Sequence, residues 1–490
     1  MRRTGLVALA RRASGARSAG VSLPARASVA DLEELRRSAD PLADNTIARL
    51  LDKWSGAPDG RDEAAAHQCN FDVLGVLNRQ MEQWTTNGAL AAWQAGPEVD
   101  PHVAAELQAY LAAGLALPAW ADPARIERAE ALFIDFGMLS CTLLFCSSLP
   151  ECYVIPDLAA VLHVAGELEH RTDHRIRSTA AMIFPVMMIG GLTRPEGGGL
   201  AQVLKVRLIH AMIRHLILRG NPSLVSKRTR IAPLPAAAAD GRLHQALFAL
   251  GWNIPEDGVP CSQDELAYTL LTFGYVFLRS LRKLGLGLST EDELAYLHTW
   301  NVMGHVLGME QTLMAHTMEQ AEELFARLQL RGRLQSYLPD PRPGLGNALM
   351  STMQAVIPFK LIKPFPVLLT RYLCGKTTAK DIGIDHRVDL LPRLLFVAMM
   401  LCIRAFDVVV RLFIKDFSIA RMLTRVVGYQ FTCKVLMNQT RPLKLPQSLL
   451  NQMQGMTAGW HRDPKAPGWL NAVEHKLTKR QDGPPKGAAP

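Results

Sequence analysis

The sequence predicts an all-α protein, and three observations support this prediction. Apolar residues recur at intervals of three and four over long stretches, which is the spacing of one helix face. No segment has the strict alternation of a half-buried strand, and no internal repeat is visible. Hydrophobic residues make up 49% of the 490 residues and charged residues 20%, so most of the chain can fold around a large core.

Three helices stand out in the middle of the chain. We expect the first to run from about Arg175 until Pro185 disturbs it. The second should cover Leu200–Arg219, because Gly220-Asn221-Pro222 is a strong stop signal. The third should run from Thr290 to Gly308.

Two capping boxes predict where helices begin. Thr290 with Glu293 would open the third helix, and Ser262 with Glu265 would open a helix that contains Phe273.

Composition divides the chain into five segments. The first 30 residues carry six arginines and no acid, and the last part is rich in Pro, Gly and Lys. We assign a basic flexible tail to 1–40, a helical extension to 41–118, the most organised block to 119–330, an apolar helical region packed on it to 331–462, and a loose basic tail to 463–490.

Charge and cysteine usage exclude several classes of function. The net charge of +9 comes partly from the two ends and forms no basic stripe interleaved with aromatic residues, so we expect no nucleic-acid partner. The eight cysteines contain no CxxC pair, which argues against a zinc site and a secreted disulfide scaffold.

Apolar stretches in the chain are too short or too interrupted to cross a membrane as single helices. The segment 390–437 is apolar but dotted with basic residues, which is typical of a buried or membrane-surface helical hairpin. We therefore expect a cytoplasmic or peripheral membrane location, and the basic N-terminus leaves export open.

His210 lies in the middle of an apolar face of the second helix, with Arg207 and Arg214 beside it. An imidazole in an apolar wall can ligate a haem iron, and an adjacent arginine can pair with a propionate. The alternative interpretation is a core histidine hydrogen-bonded to a carbonyl.

Arg175 and Thr179 are four residues apart and share a face of the first helix. A cation and a hydroxyl above an apolar floor could bind an oxygen species or a propionate. The alternative is a surface arginine and a threonine bonded to a backbone carbonyl.

The third helix carries two alternative ligands, His298 and His305, which we rank below His210 because their surroundings are more polar. Gly304 and Gly308 are four residues apart and predict a groove for close approach of another helix or a flat ligand.

Four motifs occur in a recognisable order: Arg175-x-x-x-Thr179, VRLIHAMIR at 206–214, VPCSQDEL at 259–266 and ELAYLHTWNVMGHVLG at 293–308. This set resembles the domain shared by bacterial latex-clearing (rubber) oxygenases and the fungal oxygenase that trims a prenyl chain in mycophenolic acid synthesis. The resemblance covers roughly residues 120–330.

The resemblance implies an all-α fold with a globin-like core and additional helices at both ends. It implies one b-type haem, with His210 as the axial iron ligand and Arg175 and Thr179 as catalytic residues near the distal side. Arg207 and Arg214 are then candidate cofactor-binding residues. The expected chemistry is O₂-dependent cleavage of an isoprenoid double bond, so the implied partners are O₂ and a hydrophobic small molecule or polyisoprenoid. The long apolar C-terminal region separately suggests a peripheral membrane contact.

One position departs from the family. Characterised rubber oxygenases carry a lysine before the threonine, able to cap the iron on its open side, and this chain has Ser178 there. Two alternative functions therefore stay open: a non-catalytic haem-binding protein on the same fold, and a helical membrane-surface or scaffold protein without cofactor.

Overall fold

The computed structural model describes residues 29–51, 63–166, 182–225, 230–234, 243–357 and 359–413. Within these ranges the secondary structure is helical, and the one β-type contact is an isolated bridge between Ile231 and Trp252. The prediction of an all-α protein is confirmed, and the globin-like arrangement of its core stays a prediction.

The first half of the described chain contains short and medium-length helices. In chain order they are α1 (Val29–Leu35), α2 (Pro41–Leu50), α3 (Glu63–Gln83), α4 (Asn87–Ala91), α5 (Pro101–Gly114), α6 (Pro123–Phe136), α7 (Met138–Leu143), a π-helical turn (Leu144–Ser148), α8 (Leu149–Cys152) and α9 (Pro156–Gly166). Residues 182–187 are also helical.

The second half begins with the helix that carries His210. Its helices are α10 (Gly199–Leu218), α11 (Pro222–Val225), α12 (Leu243–Ala249), α13 (Ile254–Asp257), α14 (Gln263–Phe273), α15 (Tyr275–Lys283), α16 (Thr290–Val306), α17 (Met318–Arg333), α18 (Arg342–Val356), α19 (Phe365–Cys374), α20 (Lys376–Asp381) and α21 (Leu390–Phe413). Short 3₁₀ turns lie at Gln311–Leu313 and Lys360–Ile362.

Helix α10 confirms the predicted second helix, since its bounds differ from the expected ones by one residue at each end. The chain leaves the helix through Arg219 in the left-handed conformation, just before the glycine that the sequence marked as a stop. Helices α2, α12 and α16 pack against α10, and most of its side chains are buried. The site therefore lies in the interior of the helical assembly.

The start of α16 is a correction to the predicted capping box. The N-cap is Ser289, whose hydroxyl accepts a hydrogen bond from the backbone N–H of Asp292 at 3.2 Å. Glu293 instead forms a two-pronged ion pair with Arg282, at 2.6 and 2.5 Å. A serine one residue upstream of Thr290 was available as the cap, which released Glu293 for a tertiary contact.

The second predicted capping box is wrong in its hydrogen bonds. Ser262 is the N-cap of α14, but its hydroxyl donates to the Asp264 carboxylate at 2.6 Å and does not cap the helix. Glu265 is buried, with 2% of its surface exposed.

The predicted tail 1–40 overlaps residues that are packed. Helix α1 contributes buried Leu32 and Leu35 to the hydrophobic core, and Asp40 is also buried. The packed part of the chain thus begins before residue 41, and the other segment boundaries stay predictions.

Among the described helices, none alone has both the length and the apolar composition needed to cross a membrane. The pair Pro123–Phe136 and Leu139–Cys152 passes on length and composition together but is bent by 89°. Its members contribute side chains such as Phe145 and Leu143 to the buried core.

Candidate functional site

His210 is a half-buried side chain on a helix whose other residues are mostly buried and apolar. Val206 and Val203, one and two turns before it, belong to the hydrophobic core, as does Ile217 two turns after it. The ring nitrogen Nδ1 is buried and has no hydrogen-bond partner among the described residues. The alternative interpretation, a core histidine bonded to a carbonyl, therefore finds no such bond at Nδ1 in the described chain.

The protonation state of His210 follows from this environment. Burial in an apolar wall, reinforced by the positive charge of Arg214, lowers the pKa of His210 to about 3. The imidazole is neutral at physiological pH, which is the form that ligates a metal ion. A neutral imidazole whose Nδ1 has no partner among the described residues fits the role of a ligand to iron.

Arg207 is held by a carboxylate from a distant part of the sequence. Its Nε lies 2.5 Å from Asp40 Oδ2 and its Nη2 lies 2.7 Å from Asp40 Oδ1. Its Nη1 donates to the carbonyl of Val306 at the end of α16. All three guanidinium nitrogens thus have acceptors within the chain, and Arg207 clamps α2, α10 and α16 together.

Arg214 is buried more deeply, with 1% of its surface exposed. Its Nε donates to Asp44 Oδ1 at 2.7 Å, and its Nη1 donates to the Cys261 carbonyl at 3.0 Å. Its Nη2 is buried and has no partner among the described residues. Of the two arginines that flank His210, Arg214 is therefore the one with a guanidinium nitrogen left for a bound anion.

Both carboxylates come from the start of one helix, α2. Asp40 is its N-cap residue, and Asp44, in the first turn, accepts a hydrogen bond from the Asp40 backbone N–H at 2.9 Å. Acids are favoured at a helix N-terminus because the unpaired N–H groups there carry partial positive charge. The sequence did not single out these two acids, because their partners lie about 170 residues away.

Three of the four motifs that carry the resemblance converge around these ion pairs. Gln263 donates to the carbonyls of Ala39 and Gly308, both at 2.8 Å, and so ties α14 to the start of α2 and the end of α16. Gly308 has a φ of 92°, and a Cβ there would come within 2.7 Å of Asp40 and 2.9 Å of Arg207. Only glycine fits both the backbone and the space.

The two glycines of α16 have different roles, which corrects the predicted groove. Gly304 lies within the helix, and a Cβ on it would meet the side chain of Met309 at 2.6 Å and that of Leu270 of α14 at 3.1 Å, so the glycine permits close packing of α16 on α14. Gly308 lies beyond the helix, which ends at Val306, and belongs to the turn that packs on the Asp40–Arg207 pair.

The turn that leads into α10 is held by two polar side chains. Asn87 donates from Nδ2 to the carbonyls of Gly191 and Arg194 and accepts from the N–H of Ala201. Glu130, buried with 1% exposure, accepts from the N–H groups of Gly190 and Gly191 at 2.8 and 3.1 Å. These contacts fix where α10 begins and hence where His210 lies.

Burial raises the pKa of Glu130 to about 7, although the two N–H groups that it binds act in the opposite direction. This carboxyl therefore titrates near neutral pH at the start of the site's central helix.

His298 and His305, the alternative ligands on α16, make contacts with other parts of the chain. His298 Nε2 accepts a hydrogen bond from the Asp122 backbone N–H at 2.9 Å. Trp120 makes edge contacts with both His298 and His305, with ring centroids 5.7 and 5.9 Å apart. Their lower rank as iron ligands stays a prediction.

Sequence reasoning did not single out His163, on α9. Its Nδ1 is also buried without a hydrogen-bond partner among the described residues. Helix α12 packs against both α9 and α10 and so links the elements that carry His163 and His210. No motif marks His163, because an isolated histidine in an apolar helix is usually a core residue.

Arg175, Ser178 and Thr179 lie outside the described residues, and their predicted roles stay predictions. Within the described ranges, no group of three or more His, Cys, Asp or Glu side chains could hold a metal ion.

Comparisons with known proteins agree on one family. Residues 153–405 match the model of the ER-bound oxygenase mpaB/B'/rubber oxygenase catalytic domain, which is just over half of the chain. The rubber oxygenase of Streptomyces sp. (strain K30) is 23% identical over 334 residues, covering 67% of this chain and 70% of the relative. The structure of the latex clearing protein LCP in its closed state superposes with a TM-score of 0.55 at 21% identity, covering 77% of this chain and 86% of that one. That superposition supports the fold.

Proposed function

This chain belongs to the family of the ER-bound oxygenase mpaB/B'/rubber oxygenase catalytic domain, and from that premise we propose that it is a haem b-dependent oxygenase. Its substrate is a hydrophobic, isoprenoid or lipid-like molecule, and its reaction is the oxidative cleavage of a carbon–carbon double bond. The observation that carries the proposal is His210, a neutral imidazole whose Nδ1 has no partner among the described residues, at the position that the resemblance assigns to the iron ligand.

Different residues of the chain have different proposed roles in binding the cofactor. His210 would ligate the iron, and Arg214, whose Nη2 has no partner among the described residues, could donate to a propionate. Arg207, whose nitrogens are already bound, positions α10 through Asp40. When bound, the haem supplies the O₂ chemistry. Arg175 and Thr179 are proposed for the distal side, on the resemblance alone.

The proposed reaction balances without a further reductant. One O₂ and one C=C bond give two C=O groups, so both oxygen atoms end in the products and the double bond is broken. An apolar surrounding favours both O₂ and an isoprenoid chain over water. The Streptomyces relative is named a rubber oxygenase, and we propose a polyisoprene or a shorter isoprenoid as the first substrate class to test.

The first test is optical. The protein is expressed with a haem precursor and purified, and its ultraviolet–visible spectrum is compared with that of His210→Ala. We expect a Soret band in the wild type that is lost or strongly shifted in the variant, because the iron loses its protein ligand.

His298→Ala is the matched control, because it removes a histidine whose Nε2 is already bonded to a backbone N–H. Its Soret band should equal that of the wild type. A colourless wild type would refute the haem proposal. A band that survives in His210→Ala but disappears in His163→Ala would move the ligand to α9.

Turnover separates an oxygenase from a non-catalytic haem protein. Wild-type protein is incubated with polyisoprene or squalene under isotopically labelled O₂, and carbonyl products are analysed by mass spectrometry. We expect label in both new carbonyl groups and none with His210→Ala. A haem-loaded protein that neither consumes O₂ nor forms carbonyls would support the carrier alternative.

A further inference from the structure

Between Leu390 and Leu401, helix α21 has an apolar face that the described residues leave exposed. Its exposed residues share one side of the helix, at spacings of three and four. They are Leu390 (68% exposed), Leu391 (56%), Leu394 (57%), Val397 (53%) and Leu401 (62%). Contiguous exposed apolar surface of this kind is uncommon on monomeric soluble proteins and usually marks an interaction site.

The opposite face of α21 is attached to the protein. Phe396 is buried and makes an edge contact with Phe365 of α19, with ring centroids 5.5 Å apart. The 3₁₀ turn Lys360–Ile362 also packs on α21, and it adds exposed Phe359 (67%) and Leu361 (44%) to the apolar surface. The leucines are therefore exposed on a docked helix, and the fold holds them in place.

Positive charge accompanies this surface. Between residues 359 and 393 the chain has seven lysines and arginines against three aspartates. Lys360, Lys363, Arg387 and Arg393 are exposed. One of the three aspartates, Asp381, is already paired with Arg333 of α17. Asp385 and Asp389 are exposed as well, and the stretch 359–393 still carries a net positive charge.

We propose that α21 and the turn beside it form an interfacial membrane anchor that lies on an anionic lipid bilayer. The leucines and Phe359 enter the boundary between headgroups and acyl chains, and the lysines and arginines meet the lipid phosphates. Apolar side chains ringed by cations are the pattern of helices that lie in the plane of a membrane interface. This inference is independent of the cofactor and holds or fails for the colourless protein as well.

The test is co-sedimentation of the full chain with vesicles of phosphatidylcholine, with and without phosphatidylserine. We expect stronger binding when phosphatidylserine is present, by about five-fold for each cation near the surface, and a loss of that preference at high salt. The double variant Leu394→Glu/Leu401→Glu should lose at least about ten-fold in binding, because it places charge in the apolar layer.

Leu334→Glu/Leu338→Glu is the matched control, because these leucines are 81% and 86% exposed but belong to the segment after α17, not to α21 or the turn beside it. It should bind vesicles like the wild type. Lys363→Glu/Arg393→Glu should lose the preference for phosphatidylserine while keeping the weaker binding to neutral vesicles. Circular dichroism of each variant verifies that the fold is intact.

Three results would overturn the proposal. The wild type could fail to bind either vesicle, or Leu394→Glu/Leu401→Glu could bind as well as the wild type. Alternatively, light scattering could show that the wild type self-associates through this face and that the same variant dissociates it, in which case the surface is an interface between copies of the chain.

Discussion

Helices α10 and α21 are similar in composition but differ in which of their side chains are buried. Both are long, apolar and dotted with arginines. In α10 the arginines lie inside the protein, paired with Asp40 and Asp44, whereas in α21 exposed leucines line the outside and Phe396 is the buried contact. The difference arises from acids supplied by another helix: a buried arginine needs a carboxylate nearby, and α2 provides two at its first turn.

The largest effect should come from removing a carboxylate beneath α10. Asp44→Ala leaves Arg214 buried with an uncompensated charge, so we expect the free energy of unfolding to fall by about 3–5 kcal/mol. Urea denaturation measures this change. Glu106→Ala, which breaks the pair with half-exposed Arg49, is the control and should cost less than about 1 kcal/mol. Equal losses in the two variants would contradict the distinction between buried and exposed arginines.

A second effect should appear as a pH dependence at the start of α10. The pKa of Glu130 rises from 4.5 to about 7 on folding, so the folded state favours the protonated carboxyl. Its contribution to stability is complete below pH 4.5 and is lost as the pH rises through 7. We expect the wild type to lose about 2–3 kcal/mol more than Glu130→Gln over this range. Parallel stability profiles for the two proteins would show that Glu130 does not titrate there.

The smallest effect should be found on the exposed face of α21. Leu394→Gln removes an apolar side chain that is 57% exposed, and we expect the free energy of unfolding to change by less than about 0.5 kcal/mol. Thermal denaturation without lipid measures it. A loss of 2 kcal/mol or more, on the order of a core truncation, would mean that Leu394 is covered in solution, and the contrast with α10 would then disappear.

The sequence predicted those parts of the fold that depend on local pattern. The helical spacing around His210 and the stop at Gly220 placed α10 to within one residue at each end. The two predicted capping boxes were wrong in detail, because Ser289 lay one residue upstream of Thr290 and Glu293 found Arg282 across the structure. Side chains with two or more satisfactory partners cannot be assigned from the sequence alone.

In the candidate site, too, the partners of side chains could not be predicted from the sequence. His210 and its two arginines were identifiable from their spacing on one helix, but Asp40 and Asp44 were not, since no pattern links them to α10. The free Nη2 of Arg214, which separates it from Arg207, is a property of the packing. The more polar surroundings of His298 in the sequence ranked it below His210, and the resemblance to the oxygenase family then strengthened His210 as the ligand; the order of the two stays a prediction.

The ion pairs beneath α10 also bear on how the protein reaches its folded state. Asp40 and Arg207 are 167 residues apart in sequence, and Asp44 and Arg214 are 170 apart. Closing loops of that length costs chain entropy before any contact compensates for it, so contacts of high sequence separation tend to form slowly. A fragment limited to residues 119–330 would contain His210 and both arginines but neither aspartate. We expect such a fragment to fold poorly, so the smallest unit able to organise His210 begins no later than α2.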